Sequence, residues 1–293
     1  MRRAGRAGIV LCGGRSSRMG RPKAWLPWFG PTLIEHVLSQ LRPVVDELIV
    51  VRSAVLELPP LGRDVRVVTD REPDRGPLAG LREGLSAARA DLAFVTSTDA
   101  PFVTPEHVAR LLDLEAPVAP VAEGRTQVLS AVYPCSAWKE AADLLEQGIA
   151  RPLALLERVG YAPLDLGERA GGAEDRRGGD PDIVRRSSPP AWRGFNTPTE
   201  YLDCARLVDP GAQAEVELLG RAALGVEERC LSVPIGTLSE VLARIPSRVR
   251  LVEGGRVATA HLVSLGGRAL VRDGGLPVGP GERVSVLDSQ AGG

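Results

Sequence analysis

The residues best suited to chemistry lie between positions 11 and 23, in the string Leu11-Cys12-Gly13-Gly14-Arg15-Ser16-Ser17-Arg18-Met19-Gly20-Arg21-Pro22-Lys23. The apolar run Ile9-Val10-Leu11 breaks at Gly13-Gly14, which reads as a buried strand opening into a loop. At the carboxyl end of a strand, a glycine loop lets backbone N–H groups approach a nucleotide without side-chain obstruction. Arg18 and Lys23 then bring positive charge to the phosphates. Lys23 stands out further because it and Lys139 are the only lysines among 36 basic residues. The string is neither a Walker A loop nor a G-x-G-x-x-G fingerprint. Taken as a bare glycine run, it reads equally well as a tight turn. Two carboxylates join it. Asp99 follows the apolar run 92–95, where a parallel sheet presents ligand-binding residues. One carboxylate completed by triphosphate oxygens and water is the usual way Mg²⁺ is held; a turn or helix cap before Pro101 is the other use of such a residue. Asp70 follows the run 65–68 within an acidic loop. His36 and His107 fall inside helical patterns and read as solvated or packed.

Such a loop and two strand-end carboxylates need a sheet to hold them, and the apolar spacing supplies one. After the strand at 9–11, the spacing predicts a helix over 32–41 capped by Thr32, then strands at 47–51 and 65–68. A helix is expected at 78–90, a strand at 92–95, and further helices at 105–112, 136–147, 152–158 and 199–206. Strands alternating with helices imply an α/β, doubly wound, mostly parallel sheet. The stretch 167–190 is rich in Gly, Arg, Asp and Pro, cannot bury enough surface to order itself, and is expected to be a mobile loop. Residues 208–214 are small and polar and read as a linker. Beyond them the pattern changes: strands at 215–219 and 228–233, one helix at 237–244 ending before Pro246, and short strands at 249–252, 261–265, 268–271 and 283–287. That is a small α+β module, so the expected domains are 1–207 and 215–293.

Composition bounds the possibilities. A chain of 293 residues, 44% hydrophobic and 25% charged, suits two domains with sizeable cores, and a net charge of −1 gives no support to a broad nucleic-acid surface. Cys12, Cys135, Cys204 and Cys230 are scattered without a C-x-x-C, and His36, His107 and His261 are equally dispersed. Neither a zinc site nor a disulfide framework is expected, and a reducing compartment is the default. The apolar run after the N-terminus is too brief for a signal peptide and none reaches membrane-spanning length, so a cytoplasmic protein is expected.

The string from Leu11 to Lys23 resembles the nucleotidyltransferase signature L-x-G-G-x-S-x-R-M-G-x-x-K, and with it the molybdenum cofactor guanylyltransferases. Gly76-Pro77-Leu78-Ala79-Gly80 resembles that family's G-P-L-A-G turn, Thr98-Asp99-Ala100-Pro101-Phe102 its [CT]-D-x-P-[FY] motif, and Asn196-Thr197-Pro198 its N-T-P. The resemblance runs from about 9 to 207. It implies a Rossmann-like nucleotidyltransferase that moves GMP from GTP to molybdopterin: the terminal phosphate of molybdopterin attacks the α-phosphorus in line and pyrophosphate leaves. It further implies that Arg18 and Lys23 stabilise the triphosphate and that Asp99 holds Mg²⁺. Leu11, Cys12, Gly13 and Gly14 are carried over as nucleotide contacts, with Asp70 reading the guanine base or ribose, and Gly76, Gly80 and Asn196 as substrate contacts. Two departures stand out: Arg52-Ser53 where the family often has Asn, and Gly194-Phe195-Asn196 where it often reads N-x-N. A cytidylyltransferase, another sugar- or alcohol-phosphate nucleotidyltransferase, and a non-catalytic scaffold are the rival readings.

Residues from about 215 onward resemble the molybdopterin synthase small subunit, a ubiquitin-like β-grasp sulfur carrier. The resemblance rests on the strand pair, the helix at Thr237-Leu238-Ser239-Glu240-Val241-Leu242, the turn Leu276-Pro277-Val278-Gly279-Pro280-Gly281-Glu282-Arg283-Val284, and Gly292-Gly293. It implies partners: a molybdopterin synthase large subunit and an E1-like adenylating enzyme. Asp288-Ser289-Gln290 departs from the family's apolar, proline-containing tail, and a degenerate module kept for binding is the alternative.

Overall fold

The computed structural model describes residues 4–13, 18–72, 75–165 and 189–289. Gly14, residues 167–188 of the expected mobile loop, and Gly292 and Gly293 lie outside the described residues. The chain divides into two compact units, one of Met1–Gly14 with Ile34–Gly194 and one of Arg15–Leu33 with Phe195–Gly293.

The first unit is built on β1 (Arg6–Cys12), β2 (Glu47–Ser53), β3 (Val65–Asp70), β4 (Leu92–Ser97), β5 (Val118–Ala122), β6 (Arg125–Thr126), β7 (Ser130–Pro134) and β8 (Ala162–Asp165). Its helices are α1 (Leu33–Leu41, all but its first residue), α2 (Pro77–Ala87), α3 (Pro105–Leu112), α4 (Trp138–Glu146) and α5 (Pro152–Val159). The strands form one sheet in the order β3-β2-β1-β4-β7-β5-β6, with β8 beside β5. All seven residues of β1 are buried, as a central strand covered on both faces requires. Ala7, Ile9 and Leu11 share a core with Leu78, Leu81 and Leu85 of α2. On the opposite face, a Cβ at Gly8 would stand 3.2 Å from Leu41 of α1. The helices thus flank both faces.

The β3-β2-β1-β4 half is parallel throughout. The other half corrects the alternation read from sequence. β7 runs antiparallel to β4 and β5, and the apolar spacing announces none of β5, β6, β7 and β8. The turn between β5 and β6 is Glu123-Gly124, both left-handed at φ 51° and 69°. That is the geometry a two-residue hairpin needs, but Glu-Gly is a weaker signal than Asn-Gly.

The second unit contains α6 (Pro198–Val208), β9 (Gln213–Leu218), β10 (Cys230–Pro234), β11 (Gly236–Thr237), α7 (Leu238–Ala243), β12 (Val252–Glu253), β13 (Arg256–Val257), β14 (His261–Leu265), β15 (Ala269–Val271), β16 (Pro277–Val278) and β17 (Arg283–Asp288). The main sheet has the order β10-β9-β17-β14-β15, with β9 and β17 parallel and the other pairs antiparallel. Ala214, Val216 and Leu218 of β9 alternate inward to meet Val284 and Val286 of β17 and Leu238, Val241 and Leu242 of α7. The strand expected at 249–252 shrinks to Val252–Glu253, which pairs with Arg256–Val257 around Gly254-Gly255 at φ 55° and 74°. Between α6 and β9 the chain makes one tight turn, in which the Asp209 carboxylate accepts from the Gly211 N–H at 2.8 Å. Among the described residues no helix is long and apolar enough to cross a membrane.

Candidate active site

In the first unit, four parallel strands end in step. Leu11 is opposite Ser97 on one side and Val51 on the other, and Ser53 is opposite Asp70. Asp99, two residues past Ser97, and Asp70 therefore occupy the same carboxyl edge, separated by β1 and β2. Three strand spacings put them roughly 14 Å apart. This edge is where open α/β sheets bind ligands.

β1 leaves the sheet at Gly13, which is exposed, and a Cβ built there meets nothing within 4 Å. Packing does not demand glycine at this point, so the bare backbone is available to an incoming group. The Leu11 carbonyl accepts from both the N–H and the hydroxyl of Thr98, at 3.2 and 3.3 Å, which ties the end of β1 to the Asp99 loop. The neighbouring Cys12 thiol is pushed up to about 11, chiefly by burial. It is a neutral packing group, not a nucleophile.

Asp99 is half-buried, and its carboxylate accepts a 2.5 Å hydrogen bond from the Ser97 hydroxyl. Behind it, His36 donates from Nε2 to the Pro101 carbonyl at 2.8 Å. Burial holds the His36 imidazole below its ordinary range, which keeps it neutral and leaves the Nε2–H tautomer free to brace the turn. Gly194 completes the surround, since a Cβ there would lie 2.8 Å from the Asp99 carbonyl oxygen. The glycine noted in the sequence as a departure from N-x-N is therefore packed against the Asp99 backbone.

At the other end of the edge, the Asp70 carboxylate accepts from the Glu72 N–H at 2.9 Å, and burial raises it above the usual carboxylate range. A Cβ on Gly80 would sit 3.5 Å from Asp70 Oδ2, so Gly80 and Asp70 are neighbours. Gly76 starts α2 at φ 83°, a conformation side chains avoid, just before Pro77 fills the first helical turn. Arg52, the second departure, bends into its own loop and donates to the carbonyls of Ser53, Ala54 and Leu56 at 3.3, 3.1 and 2.8 Å. It walls an open cavity of about 480 Å³ with Leu56, Pro59 and Val67. Neither Asp70 nor Asp99 lines that cavity.

In the second unit, the structure joins two motifs far apart in sequence. Lys23 donates from Nζ to the Phe195 carbonyl at 2.7 Å and to Asn196 Oδ1 at 3.0 Å. Asn196 is itself held by its N–H, which donates to Glu200 Oε2 at 2.5 Å. Glu200 and Thr197 form a capping box at the start of α6. Arg18 is exposed, and the adjacent, fully buried Met19 anchors the segment. Sequence reading named Lys23 and Asn196 separately. It missed Ser97, which bonds to Asp99 two residues on, and the bracing role of His36, whose partner Pro101 is 65 positions away.

The chemistry this arrangement supports is charge handling rather than covalent catalysis. No group of three His, Cys, Asp or Glu side chains gathers as a metal cage among the described residues. Half-buried Asp99, beside a hydroxyl, matches the way Mg²⁺ is held when a nucleotide supplies most of the oxygens.

A family described as the MobA-like NTP transferase domain matches residues 8–159. A probable molybdenum cofactor guanylyltransferase of Bacillus cereus is 38% identical over 134 residues, covering 43% of this chain and 67% of that protein. One from Bacillus anthracis gives the same figures. The crystal structure of molybdopterin-guanine dinucleotide biosynthesis protein A from Archaeoglobus fulgidus has a TM-score of 0.52 at 22% identity, covering 70% of this chain and 99% of that one, and shares the fold. With more than half its length matched, the chain belongs to the MobA-like NTP transferase domain family and is a nucleotidyltransferase.

Proposed function

We propose that the protein transfers GMP from GTP to molybdopterin, with Asp99, Lys23 and Arg18 as the working side chains. The observation that carries this reading is the carboxyl edge of the first sheet. It combines a bare glycine backbone at Gly13, a half-buried carboxylate at Asp99 held by Ser97, and Asp70 on the far strand. Names given to relatives at 38% identity support molybdopterin and GTP as the substrate pair.

The steps follow from charge. The triphosphate carries several negative charges, and in-line attack on the α-phosphorus adds charge to the departing pyrophosphate, so positioning and neutralisation do most of the work. Lys23 and Arg18 stabilise the triphosphate. Bound Mg²⁺ would supply further neutralisation beside Asp99. Asp70 reads the base or ribose from the end of β3, where burial raises its carboxyl above the usual carboxylate range. Gly76, Gly80 and Asn196 are assigned to the substrate side. Calorimetric titration with GTP, CTP and ATP in the presence of Mg²⁺ tests the reading, with GTP preferred by at least about tenfold, roughly 1.4 kcal/mol. Asp99→Asn should stop pyrophosphate release while the fold melts within a few degrees of wild type. Normal turnover by that variant removes the metal assignment, and a CTP preference moves the protein to the cytidylyltransferases.

A separate observation supports a second activity. The order β10-β9-β17-β14-β15, with a parallel central pair and α7 packed on one face, supports reading the second sheet as a β-grasp module. We read the second sheet as a sulfur carrier of the molybdopterin synthase small-subunit type. It would be charged by an E1-like adenylating enzyme and received by a synthase large subunit.

A further inference from the structure

The segment that follows the glycine loop does not belong to the sheet that starts the loop. Residues Arg15–Leu33 are part of the second compact unit, and the contacts that place them there are specific. Arg21 Nη1 pairs with Glu282 Oε1 at 2.7 Å, the two side chains being 15% and 3% exposed. The same nitrogen donates to the Pro277 carbonyl at 3.1 Å. Glu282 uses its other oxygen to accept from the Gly279 N–H at 3.0 Å, so one carboxylate ties the turn between β16 and β17 together and grips Arg21. That turn presses closely on the segment. A Cβ at Gly279 would fall 1.9 Å from the Tyr201 hydroxyl and 2.9 Å from Pro27, and a Cβ at Gly20 would fall 2.4 Å from Leu276. The fully buried Tyr201 donates to the Pro27 carbonyl at 2.5 Å and packs on Phe195 with ring centres 5.2 Å apart. Phe195 in turn supplies the carbonyl that holds Lys23.

We propose that the second unit positions the nucleotide-handling segment: Arg21, Glu282 and Tyr201 are positioning residues that fix Lys23 for nucleotidyl transfer. The inference rests on the reading of Lys23 as a triphosphate ligand and goes beyond it, because it makes the C-terminal module part of the transferase rather than a passenger. A buried ion pair adds little net stability but demands one geometry, since either charge left alone inside is costly. Lys23, two residues from Arg21 and bonded to the residues just before α6, has little freedom while that geometry holds.

The test uses the full chain. Glu282→Gln keeps the side-chain shape and the acceptor for Gly279 but removes the charge. GTP binding with Mg²⁺ should weaken about tenfold or more, and amide hydrogen exchange over residues 20–28 should accelerate while β14 keeps its protection. Arg21→Gln should do the same from the other end, and Arg21→Lys should recover most of the binding, which a purely structural pair would not require. Arg283→Ala, which removes an exposed ion pair to Glu217 on the same sheet, should change neither reading. If Glu282→Gln fails to fold, the two Arg21 variants decide. Unchanged binding and exchange in Arg21→Gln, or equal loss in Arg283→Ala, overturns the proposal. A wild-type chain that binds no nucleotide sinks the guanylyl-transfer reading instead, and the exchange comparison then still decides whether the turn holds the segment.

Discussion

At the scale of single residues, the candidate site depends on small groups as much as on charged ones. Gly194 leaves room for the Asp99 backbone, with a virtual Cβ only 2.8 Å from its carbonyl oxygen. Gly194→Val should therefore displace the Asp99 loop and slow pyrophosphate release by about tenfold or more, consistent with the cost of misplacing a reacting group by an ångström. A steady-state assay that found wild-type kcat would show that the loop yields without penalty. His107 carries a different kind of consequence. Its Nε2 lies 3.0 Å from the Ser130 hydroxyl and its ring packs edge-on to Phe94, and burial pushes it down to about 4 from an ordinary 6.5. Between those values the unfolded chain binds a proton that the folded protein refuses. The stability this residue permits is complete above pH 6.5 and is lost as the pH falls toward 4. Urea denaturation should show His107→Gln losing less stability than wild type across that window, by on the order of 3 kcal/mol. His36 shifts in the same direction and will leave part of the slope in place. Parallel curves for the two proteins would mean that His107 takes up its proton without unfolding anything.

At the scale of elements, the motif Asn196-Thr197-Pro198 does two jobs at once. Thr197 caps α6 by accepting from the Glu200 N–H, Pro198 fills the first turn, and Glu200 returns to bind the N–H groups of Thr197 and Asn196. The motif is visible in sequence because capping chemistry is local and needs particular residue types at fixed offsets. Its partner Lys23 is not visible in that way, being 173 positions from Asn196. Removing the cap with Thr197→Ala should cost about 1 kcal/mol in thermal melts and loosen Asn196 enough to weaken GTP binding. A loss of stability with unaltered binding would separate the cap from the site. The same contrast explains β5 to β7. Their hairpin turns on Glu123-Gly124 and β5 contains Pro120, so neither turn chemistry nor apolar alternation announced them.

At the scale of the whole molecule, the two activities proposed make separable demands. The carrier reading requires that the Gly293 carboxylate be adenylated, with pyrophosphate released, and that sulfur then replace an oxygen as AMP departs. Incubation with an adenylating enzyme, ATP and a sulfur donor should give the mass gain of one oxygen-to-sulfur exchange. Removing Gly292 and Gly293 should abolish that gain and leave GTP-dependent transfer unchanged, because independent sites add rather than couple. No gain with a competent enzyme would point to a module kept for binding. The positioning role of the β16–β17 turn does not pass through those two glycines, so transfer should respond to Glu282 and not to the tail.

The sequence by itself determined the parallel half-sheet and the strand ends on which Asp70 and Asp99 fall, together with the helices that follow Asn196-Thr197-Pro198 and Thr237. Each is a local matter, written in residue types a few positions apart, and the apolar runs are long enough to set the strands. Only the tertiary structure decided which unit owns Arg15–Leu33, that Gly194 lies against the Asp99 backbone, and that Arg52 is spent on the carbonyls of its own loop. Those outcomes depend on steric clearance and ion pairing between residues up to 261 positions apart, as Arg21 and Glu282 are. Such pairings leave no periodic trace in the chain and emerge only when both partners are buried against each other.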